Sequence, residues 1–224
     1  TGAFMDDAGP SREKLSLSTI DGTTRLWMMR AGSNISSANL NDRYYLMNSG
    51  KRGDLYGADL SGLKITNRSL KNFDLSSANL SNTDLTGSDL TSAILRNTNL
   101  QGVNLTSAKV NNADLANADL TRATVKSANL TSADLKDTNF TSADISNATL
   151  TSATITRTNF NEANLSSVIA TSTLFSNVIA TGADLTYANL TGSTFVNGDF
   201  QGASLLLSHF DNGTINRTDF RNAL

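Results

Sequence analysis

The stretch Ala113-Asp114-Leu115-Ala116-Asn117-Ala118-Asp119-Leu120-Thr121-Arg122 decides how this chain is read. Its two leucines stand five residues apart, and each has a small alanine two positions before it. Working outward in both directions, the same spacing holds from Leu55 to Phe220. Of the 34 sites in that series, 32 are Leu, Ile, Val or Phe, and Ala170 and Ala180 are the two breaks. The residue two before each site is Ala, Ser, Thr, Gly or Val in 31 of the 34, with Leu63, Arg68 and Phe73 as exceptions near the start. The residue immediately before the large one is most often Asp, Asn or Thr.

A period of five fits neither a helix, at 3.6, nor a flat strand, at 2. A helix so patterned would spread its apolar residues around the cylinder and have no face to bury. The pattern works if the chain turns a corner in every repeat. The large residue and the small one before it then point inward, and the other three face solvent. The chain is rich in Ser, Thr and Asn, which also invites a low-complexity, disordered reading. Unbroken phase over 34 repeats argues against it.

The motif Ala-(Asp/Asn)-Leu-X-X, seen again in Ala183-Asp184-Leu185-Thr186-Tyr187, is similar to that of the pentapeptide-repeat family and runs over residues 53–224 without a gap. The resemblance implies an all-β fold, a right-handed quadrilateral β-helix (a pentapeptide-repeat solenoid), with four pentapeptides per coil. Residues 20 apart then stack at roughly the inter-strand spacing of 4.8 Å, and 34 repeats make a rod about 40 Å long. One column of that rod reads Leu55, Leu75, Leu95, Leu115, Leu135, Ile155, Phe175, Phe195, Ile215. The next reads Leu60, Leu80, Leu100, Leu120, Phe140, Phe160, Ala180, Phe200, Phe220. Leucine ladders give way to phenylalanine along the axis.

Where the repeat fails, two registers compete. At Ala170 and Ala180 the small central residue follows Val168 or Val178, a volume exchange that keeps the core filled. That register leaves Ile169, Leu174 and Ile179 pointing outward at successive corners of one coil, as candidate contact residues. A one-residue slip would bury all three instead.

Three segments follow. Residues 1–32 lack the repeat, and Leu15, Leu17, Ile20, Leu26, Trp27, Met28 and Met29 suit a short non-repeat cap over the first coil. Residues 33–52 read as a degenerate first coil or loop, since Ser33-Asn34-Ile35 and Ala38-Asn39-Leu40 match while 41–52 do not. Residues 53–224 are the solenoid. The opening Thr1-Gly2-Ala3 is expected of a fragment. Ala223-Leu224 still follow the repeat, so the protein is expected to continue or to stack end to end through its uncapped last coil.

Composition removes several chemistries. The 224 residues contain no cysteine, one histidine and no apolar run near the roughly 20 residues that cross a bilayer. Net charge is −2, with +2 on residues 1–52 and −4 on 53–224, unlike the clustered basic charge of a nucleic-acid binder. A lone His209 supports neither a histidine-based metal site nor a repertoire of general bases. Stacked carboxylates such as Asp114 and Asp134 read best as solubilising turn residues. No phosphate-binding glycine loop appears. Asn-x-Ser/Thr sequons such as Asn104-Leu105-Thr106 follow from the repeat itself. We therefore expect no catalytic residues, no cofactor and no metal.

The expected function is a non-enzymatic scaffold for protein–protein interaction, with Ile169, Leu174 and Ile179 as its contact candidates. The non-repeat N-terminal segment is similar to that of secreted bacterial effectors of the family, which makes secretion into a host cell the alternative to a cytoplasmic location. Other members mimic duplex DNA and bind DNA gyrase, which confers quinolone resistance. That alternative asks for more negative charge and for a C-terminal dimerisation helix. A third reading, ice or surface binding by the threonine column Thr131, Thr151, Thr171, Thr191, is weakened by Asn111 and Lys71 in the same column. Direct nucleic-acid binding and a membrane span are not expected.

Overall fold

A computed structural model describes residues 55–224. The expected cap at 1–32 and degenerate coil at 33–52 lie outside the described residues. Within them the chain winds as a right-handed quadrilateral β-helix with four pentapeptides per coil. Backbone partners stand 20 residues apart and parallel, from Asp59 with Asn79 through Asp199 with Asp219. The four sides are named here by their first inward residues: first face Leu55, second Leu60, third Ile65, fourth Leu70.

Each repeat builds its corner in the same way. The chain reverses through one residue of positive φ, between 51° and 71°, and there are 27 such non-glycine residues and seven such glycines, one for each of the 34 repeats. Asn, Ser and Gly dominate, because they carry the left-handed conformation at least cost. The turn closes by a backbone bond to the inward residue, as when Ala58 N–H donates to Leu55 O (3.0 Å). The residue before the inward site completes it. Asp84 Oδ1 accepts from both Thr86 N–H (3.1 Å) and Thr86 Oγ1–H (2.6 Å). This Asx turn explains why Asp and Asn recur at that position. Asn also links coils, with Asn99 Nδ2–H donating to Asn79 Oδ1 (3.1 Å).

The core is one continuous cluster built from four columns of large side chains, each residue with its small neighbour beside it. Leu55, Leu60, Leu75, Leu95 and Leu115 are buried, as are Ala58, Ala78 and Ala113. Where the small residue is a buried Ser or Thr, its hydroxyl donates to the inward residue's carbonyl 23 positions earlier, as Thr138 Oγ1 does to Leu115 O (2.9 Å). A buried hydroxyl is thereby satisfied rather than stranded.

From residue 140 onward the core turns aromatic. Phe140 and Phe160 stack at 5.2 Å on the second face, and Phe175 and Phe195 at 4.7 Å on the first. Beside the second pair the first face flattens into regular strands: β1 (Thr154–Thr156), β2 (Leu174–Ser176), β3 (Thr194–Val196) and β4 (Thr214–Asn216), parallel and in that order. Ile155, Phe175, Phe195 and Ile215 are in register across it.

The register of residues 165–185 is the unslipped one. Val168, Ala170, Val178 and Ala180 are all buried. Phe175 lies between the two central alanines of its coil, so a ring occupies room that two smaller residues release. Phe200 shows the converse. A methyl group on Gly198 would come within 2.8 Å of the Phe200 ring, so the largest inward side chain takes the smallest partner.

Candidate interaction surfaces

The unslipped register exposes the three predicted residues. Ile169 is 43 %, Leu174 48 % and Ile179 47 % exposed. They occupy one coil but three different sides. Ile169 stacks between Thr149 and Asn189 on the fourth face, Leu174 between Thr154 and Thr194 on the first, and Ile179 between Asn159 and Asp199 on the second. The structure brings them to one height on the rod and does not bring them to one surface. A flat partner can rest on one of them, or straddle a corner and reach two.

A tighter apolar group lies at the corner between the third and fourth faces. Tyr187 and Leu206 are each 59 % exposed and Leu207 is 57 %. Tyr187 N–H donates to Leu206 O (2.9 Å), which sets the two segments side by side in successive coils. Tyr187 (φ 61°) and Leu207 (φ 56°) are the two large apolar residues among all the left-handed corners. Sequence reasoning on the inward positions missed them. The signal was present in the corner column, where Asn147 and Ser167 are followed by Tyr187 and Leu207.

Some of the charged groups are occupied with one another. Arg96 pairs with Asp114, which stands directly beneath Asp134. Arg157 grips Asp137 through two hydrogen bonds (2.6 and 2.7 Å). That Arg157 contact holds the Asp137 carboxyl below its ordinary range despite the opposing effect of desolvation. For Asp119, burial pushes the carboxyl up, but hydrogen bonds from Thr121 and Gln101 outweigh it and the net shift is downward. Asp144 behaves alike, with burial opposed by Ser146 and Lys126. These are carboxylates settled as anions.

His209 is exposed on the fourth face, stacked on Asn189. Among the described residues no group of three or more His, Cys, Asp or Glu is placed to hold a metal ion. No helix among them is long and apolar enough to cross a membrane. In the threonine column, Thr151 and Thr171 hydroxyls lie 3.3 Å apart.

A family model for pentapeptide repeats (eight copies) matches this chain between residues 58 and 197, more than half of its length. The chain belongs to the pentapeptide-repeat family. Among solved pentapeptide-repeat structures, a trypsin-treated variant of QnrB1, a plasmid-mediated fluoroquinolone resistance protein, is 18 % identical. That likeness covers 73 % of this chain and 88 % of QnrB1 with a TM-score of 0.58, and it shows the shared fold. HetL, a pentapeptide-repeat protein involved in heterocyst differentiation regulation in the cyanobacterium Nostoc sp. strain PCC 7120, is 25 % identical. It covers 74 % of this chain and 86 % of HetL at a TM-score of 0.49. No curated protein matches the sequence.

Proposed function

We propose that this pentapeptide-repeat chain is a non-enzymatic scaffold that binds a protein partner through apolar side chains displaced onto its outer surface. One observation carries the reading. The coil of residues 165–180 places Ile169, Leu174 and Ile179 outside while filling its interior with Val168, Val178 and Phe175. Each of these half-exposed apolar side chains gives up part of the roughly 1.5–3 kcal/mol that full burial is worth. Contact with a partner recovers that burial.

Duplex-DNA mimicry of the gyrase-binding kind is the weaker reading. Residues 55–224 carry 14 acidic and 11 basic side chains, and the second face is the most acidic, with Asp59, Asp119, Glu162, Asp199 and Asp219 against Arg122 and Arg221. An excess of three carboxylates spread along a rod of about 40 Å is a weak field beside duplex DNA, which bears one charge per ~1.7 Å.

The test is a pull-down from bacterial and eukaryotic lysates with the full chain and with Ile169→Asp, Leu174→Asp and Ile179→Asp singly, each shown to be folded by circular dichroism. Because the three lie on three faces, loss of the same protein in one variant names the face. Identical retained proteins in all four samples would remove the apolar belt as a contact. Recovery of gyrase, undiminished in all three variants, would replace the scaffold with mimicry.

A further inference from the structure

We propose that the corner formed by Ile169, Tyr187, Leu206 and Leu207 is the principal docking point, and that it takes a short apolar segment of a partner protein flanked by lysine or arginine. The inference rests on the scaffold reading and gives it a location and a partner chemistry.

Two independent features single out this corner. The first is concentration. Four of the nine exposed large apolar side chains of the described rod fall here, across three consecutive coils. Ile169 belongs to the group because it stacks directly on Asn189, two residues beyond Tyr187. The second is backbone cost. A left-handed corner is tolerated easily by Gly, Asn or Asp and is unfavourable for a bulky residue. The rod uses Asn, Ser or Gly at most of its corners, yet places Tyr187 and Leu207 in consecutive coils at the same one. Neither side chain is buried in the core, and replacement of either by Asn is expected to relieve the cost of the left-handed backbone. Strain retained without a folding benefit points to use.

Charge then selects the occupant. The third and fourth faces of these coils, residues 163–172, 183–192 and 203–212, contain Asp184 and Asp211 and no lysine or arginine. An apolar patch whose faces carry two carboxylates, one exposed imidazole (His209) and no lysine or arginine attracts a segment with cationic flanks. It disfavours a second copy of this acidic solenoid and an anionic lipid surface.

The experiment titrates the 15N-labelled full chain with two synthetic amphipathic peptides of identical leucine face. One carries lysine and the other glutamate on its polar positions. The lysine peptide is expected to shift the amide resonances of Tyr187, Asn189, Leu206 and Leu207, and to bind about tenfold or more tightly than the glutamate peptide. The double variant Tyr187→Asn/Leu207→Asn is expected to lose that binding while its Tm rises, by about 2–4 °C for each corner relieved. A folding failure is thus not expected to mimic the result.

Equal binding of both peptides, or binding unchanged in the double variant, overturns the proposal. A fall in Tm overturns it too, since it would show that the two side chains serve the fold. Shifts centred on Leu174 or Ile179 instead would sink this corner and leave the scaffold reading standing. Concentration-dependent dimerisation in sedimentation velocity, lost in the double variant, would make the occupant a second copy and refute the cationic segment.

Discussion

The two halves of the described rod share one backbone and differ in what they do with it. Between residues 55 and 134 the central side chains are Leu, Ile or Val throughout, and Tyr56 is the one exposed large apolar residue. Between 135 and 224 seven phenylalanines and two alanines enter the central positions, and the other eight exposed large apolar residues all lie here. An aliphatic core is the same in every coil, so each repeat can be filled independently of the next. Phe175 and Phe200 sit beside smaller neighbours, whereas Phe140 and Phe160 fit beside Thr138 and Thr158 with full-sized residues on either side. The compensation at Ala170, Ala180 and Gly198 is therefore shared between repeats, and it frees outer positions such as 169 and 179 to carry apolar side chains. The half with the irregular interior is the half with an exterior worth recognising.

The comparison breaks most sharply at the aromatic ladder. Phe175→Ala should cost about 3–5 kcal/mol in urea unfolding, at the upper end for a buried ring, because Ala170 and Ala180 beside it cannot refill the space. Leu95→Ala in the aliphatic half serves as the reference and should cost less, about 2–4 kcal/mol. Equal losses would mean the halves are packed alike.

A smaller effect separates two glycines. Gly198→Ala should destabilise by about 1–3 kcal/mol, since the new methyl meets the Phe200 ring. Gly202→Asn, at φ 66° with nothing within 4 Å of a Cβ, should be close to neutral in the same melt. Thr138→Val removes the donor to Leu115 O and should cost about 1 kcal/mol by thermal denaturation.

The mildest test uses acid. Asp119, Asp137 and Asp144 have carboxyls held below the ordinary value in the folded rod. A depressed folded pKa adds stability that is full above the unfolded value near 4 and is lost as pH falls through the folded value. Tm should therefore be flat from pH 7 to about 5 and decline below about 4. A decline beginning near neutrality would contradict the assignment.

Much of this was legible in the residues. The five-residue spacing from Leu55 to Phe220, with small residues two before, requires a corner per repeat, and the columns 20 apart follow from the resemblance to the pentapeptide-repeat family. Asp and Asn ahead of the inward site were recognised as turn formers, though their bonding between coils, as from Asn99 to Asn79, was not. The corner residues were passed over because attention to burial selects inward positions, and Tyr187 and Leu207 matter by being outside.

The sequence alone determined a corner in every repeat, because a period of five buries two residues per repeat only if the chain turns each time, and its resemblance to the pentapeptide-repeat family supplied the four-sided winding. It left open whether Val168-Ile169-Ala170 or a slipped register fills the coil, since either choice supplies enough apolar volume locally. Tertiary structure decided it. Ile169 must bridge to Thr149 below and Asn189 above, and coils already in phase on both sides admit no slip. The same stacking flattened β1–β4 beside the Phe175–Phe195 pair and set Tyr187 next to Leu206, relations between residues about 20 apart that no local pattern contains.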